Sequence, residues 1–136
     1  MFARILVCSL ILGSSACHRA RSAEPAPAWL VQYVAEMDSR LRTVSATDGI
    51  DADEAKAIAG VYLVKYLTGC GVPDEAVLRG HTWVVSLRLG YAGAKSDRTI
   101  EVDSKSGGVW GLGGPRYGDF ASFHYGVLVE VARDGR

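Results

Sequence analysis

Between Leu30 and Tyr66 the apolar residues recur every three or four positions, and between Thr82 and Val102 they alternate one by one. The first spacing is that of an amphipathic helix and the second that of a strand with one buried face. A chain that switches period once along its length is expected to segregate helices from strands, so the fold class is α+β: N-terminal helices on a small antiparallel sheet. Leu30, Val34, Met37, Leu41 and Val44 predict a first helix over residues 29–44. In the second, Asp51 is placed to cap and Glu54 follows three residues later as in a capping box. Ala55, Ile58, Ala59, Tyr62, Leu63 and Tyr66 form its buried stripe, and Gly69 or Gly71 ends it. Gly60 in its middle costs about 1 kcal/mol relative to Ala, which suggests a close contact there.

Thr82–Leu89 presents Trp83, Val85, Leu87 and Leu89 on the face expected to pack on the second helix. A polar segment over residues 90–97 leads to a strand over 98–103 with Ile100 and Val102 inward, and a turn over 104–108 to a strand over 109–112. Short links imply an antiparallel meander of three to four strands. Asp119 is placed to cap a C-terminal helix using Phe120, Phe123, Val127 and Leu128, while Phe123, Tyr125, Val127, Val129 and Val131 fit an alternating strand almost as well. Both readings stay open from sequence.

Ahead of this domain, Arg4 and the apolar run over residues 5–13 read as a secretion signal, too short to span a bilayer. Small residues Ser14, Ser15 and Ala16 lead into Cys17, the expected lipidation site, although Ser14 stands where lipoprotein signals carry an aliphatic residue. An ordinary signal peptidase would cut after Ala16 or near Ala23. The organisation expected is a signal over 1–16, a tether over 17–27 rich in Ala, Pro and Arg, and one domain over 28–136 in an exported, periplasmic, membrane-anchored protein.

Fifteen basic residues balance fifteen acidic ones, so no basic field gathers nucleic acid. With Cys8 in the signal and Cys17 at the anchor, Cys70 is the only thiol left in the domain, and a disulfide framework is excluded. Cys70 with His81 or His124 as base is the one candidate for enzyme chemistry, and its place between Gly69 and Gly71 favours an incidental thiol. The residues over 48–54 look at first like the tail of a calcium loop, but Ile50 directly follows Gly49, and Val44 and Ala46 stand where the first carboxylates belong. The glycines over 111–114 lack the Lys and Ser/Thr of a phosphate loop, and Pro115 removes a donor. The three histidines have no metal-ligand spacing. No catalytic residue, metal or cofactor is therefore expected. Trp29 and Trp83 are expected in the core, whereas Trp110 lies beside the glycine-rich loop, where an aromatic patch faces a partner.

The segment Asp53-Glu54-Ala55-Lys56-Ala57-Ile58-Ala59 with Tyr62-Leu63, then Trp83-Val84-Val85, then Ile100-Glu101-Val102-Asp103-Ser104-Lys105-Ser106-Gly107-Gly108-Val109 resembles small immunity proteins of bacterial polymorphic toxin systems. The resemblance covers residues 51–123 and is closest to members with a helix-on-sheet or nuclear transport factor 2-like fold. It implies a protein that blocks a toxin by binding and performs no reaction. The strand-turn-strand unit is also similar to PepSY domains, which implies restraint of a protease or envelope regulation. PepSY domains lack the long first helix, and many immunity proteins of this kind carry no signal, so export implies a toxin acting in the envelope. The partner-binding residues expected are Tyr91, Asp97, Arg98, Trp110, Arg116 and Tyr117, an aromatic and charged rim at one end of the sheet.

Overall fold

The computed structural model describes residues 25–67, 71–90 and 92–134. Helix α1 (Ala28–Leu41) is followed by α2 (Ala52–Tyr62), strands β1 (Gly71–Arg79), β2 (Thr82–Leu89), β3 (Ala94–Asp103) and β4 (Val109–Gly111), and helix α3 (Phe120–Asp134). The four strands form one antiparallel meander in chain order. The class is α+β with a C-terminal helix.

The second helix starts as its sequence dictates. The Asp51 carboxylate accepts the amides of Asp53 (2.9 Å) and Glu54 (2.8 Å), and Glu54 returns a carboxylate oxygen to the Asp51 amide at 3.0 Å. Its other oxygen takes the Ser45 amide at 2.7 Å, so carboxylates that superficially suggest a calcium loop are occupied by backbone donors. After Tyr62 the helix widens into a π-helical turn over Leu63–Leu67. Gly60 lies against β1, where a Cβ would sit 3.4 Å from the Pro73 ring, an ordinary van der Waals contact, so this neighbour does not require a glycine.

Ala55, Ile58, Ala59, Val61 and Tyr62 of α2 are buried, as are Val85, Leu87, Ile100, Val102 and Val109 of the sheet. Trp83 packs at the margin of this core, half-buried, and its indole N–H donates to the Ile50 carbonyl at 2.7 Å. Helices α1 and α3 pair with one another, burying Leu30, Met37 and Leu41 with Phe123, Val127 and Val131. His124 and Asp38 bridge the two helices at 2.8 Å, and Arg42 holds the same carboxylate at 2.6 Å. The opposite sheet face, with Val77, Val84, Glu101 and Trp110 in register, is not buried.

Three sequence expectations are corrected, and one strand is found where the sequence suggested no element. Trp29 is 61% exposed, because it lies one residue and hence about 100° from the Leu30–Met37–Leu41 stripe. The first helix ends at Leu41, and Val44 packs on the core from a turn beyond it. A strand occupies Gly71–Arg79; Pro73 and the bulge between Pro73 and Ala76 hid its alternation, which an edge strand tolerates. Strand β3 begins at Ala94 within the polar segment, since only its second half faces the core. Of the two C-terminal readings the helix is the one formed: Asp119 accepts the Ser122 amide at 2.7 Å, supplying the cap.

The Ile58 side chain is fully buried between α2 and the sheet. Ile58→Ala is expected to destabilise by about 2–5 kcal/mol in urea unfolding, whereas Val77→Ala on the open face should cost about 0.5 kcal/mol or less. The β3–β4 turn gives a pH signature. Asp103 accepts from the amides of Ser106 (2.7 Å) and Lys105 (3.0 Å) and from the Ser106 hydroxyl (2.9 Å). The Ser106 amide first, against a smaller burial effect, holds this carboxyl below its ordinary value of 3.8. A depressed carboxyl stabilises the fold above its unfolded value and loses that contribution as pH falls through the folded one. Asp103→Asn should therefore lower the urea midpoint at neutral pH, and its gap from wild type should narrow below pH 3.8. A gap that stays constant with pH would assign the effect to geometry alone.

Candidate binding groove

Residues of β3 that face away from the helices alternate through Asp97, Thr99 and Glu101, and Glu101 lies directly across from Trp110 on β4. Beyond Gly111 the chain turns out of the sheet at Gly113, whose φ of 82° suits glycine. The Gly114 amide closes that turn on the Gly111 carbonyl at 3.2 Å. Between the β3 strand and this turn lies an open groove of about 760 Å³, lined by Asp97, Arg98, Thr99, Glu101, Trp110 and Leu112 together with Gly111 and Gly113. Leu112 is 70% exposed at its lip.

The loop that forms the far wall is held from two sides. Tyr117 and Val109 exchange amide-to-carbonyl hydrogen bonds at 3.0 Å each, folding the chain back along β4. That return brings the Arg116 guanidinium over Trp110, 4.5 Å from the ring centroid. From beneath, the Tyr62 hydroxyl accepts the Gly111 amide (3.1 Å) and donates to the Pro115 carbonyl (2.8 Å). Burial is the main cause that raises the Tyr62 phenol above its ordinary value, so the hydroxyl keeps the proton it donates. Tyr62 also stacks at the centre of an aromatic cluster, 5.1 Å from Tyr66 and 6.2 Å from Phe123.

Three of the sequence-predicted binding residues, Asp97, Arg98 and Trp110, come together in the groove, and Arg116 joins them through its stack on Trp110. Tyr117 does not face it. Its ring is turned inward, edge-on to Phe123 at 5.3 Å, and its hydroxyl meets that of Tyr66 at 2.5 Å. Gly126 makes room for it, since a Cβ there would sit 2.7 Å from the ring. Tyr91, Cys17 and Cys70 lie outside the described residues. His81 follows β1 at the end of that nine-residue strand away from Gly71, and His124 is engaged by Asp38.

The sequence reading missed Thr99, Glu101 and Leu112 on the groove and Tyr62 beneath it. Glu101 and Thr99 were detectable, because each alternates with an inward apolar residue and so must point to the open face. Tyr62 read only as core, since no spacing reports a hydroxyl that reaches a loop some fifty positions away. Compared with family models, with characterised proteins and with solved structures, the chain matches none.

Proposed function

We propose that this chain is an exported binding protein, anchored in the envelope by lipid on Cys17, that neutralises a toxin by protein–protein contact through the groove beside β3 and β4. One observation carries the reading: Asp97, Arg98 and Trp110, separated in sequence, line one open groove whose wall is fixed by the core through Tyr62. Such a surface offers what interfaces use, an aromatic anchor, a guanidinium and charges of both signs on a preorganised frame. Loops and edges at one side of a rigid sheet can vary to fit a partner while the core stays constant. The resemblance to immunity proteins favours a toxin as the partner class, and the signal with Cys17 favours an encounter in the periplasm.

Affinity capture from membranes of the native host should recover a protein partner. Trp110→Ala should reduce that recovery by about tenfold or more at unchanged melting temperature. Co-expression with the captured protein directed to the periplasm should protect cells, and growth arrest despite correct folding and export would sink the immunity reading. Anchoring is checked separately. Wild type should take up labelled fatty acid and sediment with membranes, and Cys17→Ser should lose both while still capturing the partner in detergent.

A further inference from the structure

Strand β4 pairs with only Ile100, Glu101 and Val102 of the ten-residue β3, so among the described residues Ala94–Thr99 has no strand on that side. The Asp103 amide donates toward β4, to the Gly108 carbonyl at 2.7 Å, and donors alternate along a strand. The amide and carbonyl of Thr99 therefore point into the lane that β4 leaves when it turns away at Gly113. The groove coincides with this lane: one wall is Asp97, Arg98, Thr99 and Glu101 of β3, the other is the Leu112–Gly113 turn.

We propose that the groove takes an extended segment of the partner polypeptide, added antiparallel to β3 as a continuation of the β4 lane. This rests on the binding role given above and specifies its chemistry. Main-chain groups of an added strand would pair with Thr99, and side chains would read the charges. Asp97 and Glu101 flank Thr99 on the open face, and neither makes an ion pair among the described residues. A basic side chain facing Thr99 falls between these two carboxylates. The next position of the segment faces Arg98, on the other side of the strand, and calls for an acid. The lane is short. Ser96 Oγ takes the Arg98 amide at 3.0 Å where β3 bulges against β2, and that irregularity ends regular pairing. Charged residues and bulges also guard sheet edges against chance pairing, which here restricts entry to a strand of matching charge order.

The probe is an end-blocked synthetic peptide, Thr-Val-Lys-Glu-Lys-Val-Thr, titrated into the isotope-labelled protein while amide resonances are followed. Shifts should concentrate at Thr99, Gly111 and Leu112. Methylating the peptide nitrogen of its first lysine, the residue opposite Thr99, should weaken binding about tenfold or more, and the charge-inverted peptide Thr-Val-Glu-Lys-Glu-Val-Thr should bind more weakly than the first. The double variant Asp97→Lys, Glu101→Lys, unchanged by circular dichroism, should reverse that preference. No shifts with millimolar peptide, or equal affinity for the methylated one, overturns the proposal. So do concentration-dependent shifts at Thr99 without peptide, which would mean a second copy fills the lane. Peptide binding together with undiminished partner capture by Trp110→Ala would leave the lane standing and remove the function assigned to it. Capture that depends on Trp110 without peptide binding does the reverse.

Discussion

A single phenol oxygen joins the core of this protein to its open surface. Tyr62 belongs to the α2 stripe that covers the sheet, and its ring is wholly buried, yet its hydroxyl grips both ends of the loop from Gly111 to Pro115. Without that oxygen, the Gly111 amide and Pro115 carbonyl would have to find water or leave part-buried polar groups unpaired, each a cost of about 1–3 kcal/mol. The loop in turn positions Leu112 at the groove lip and returns Arg116 to Trp110. Packing of α2 and the shape of the groove are thus one constraint.

The helices lie to one side of that constraint. Because α2 covers one sheet face and α1 pairs with α3, the other face is free to carry charge and a tryptophan without disturbing the core. The aromatic series Tyr62, Tyr66, Tyr117 and Phe123 ties α2, the loop before α3 and α3 itself together. Tyr117 contributes its backbone to β4 and its ring to this cluster, so a residue read as rim is a strut behind the rim.

Much of the fold was legible because burial writes a period into sequence. The α2 stripe, its capping box and the boundaries of β2 follow from spacing and from one Asp–Glu pair. What spacing cannot report was missed. An edge strand with Pro73 and a bulge has no clean alternation, and the polar start of β3 faces water on both sides. Phe123, Val127 and Val131 serve a helix and a strand alike at spacings of four, and the Asp119 cap decides between them. The groove was half legible: Trp110 beside glycines and the Asp97–Arg98 pair announced it, whereas its floor and wall depend on contacts between residues distant in the chain.

The central claim is that partners meet this molecule on the β3–β4 side. Exposed apolar side chains also stand on the helices, Trp29 and Val31 on α1 and Tyr125 and Val129 on α3, so binding there can be told apart from binding at the groove. Amide hydrogen exchange of the protein alone and with its captured partner maps the contact directly. The account predicts new protection over residues 97–101 and 110–116, with α1 and α3 unchanged. Protection confined to α1 and α3, with Thr99 and Leu112 exchanging as in the free protein, would contradict it.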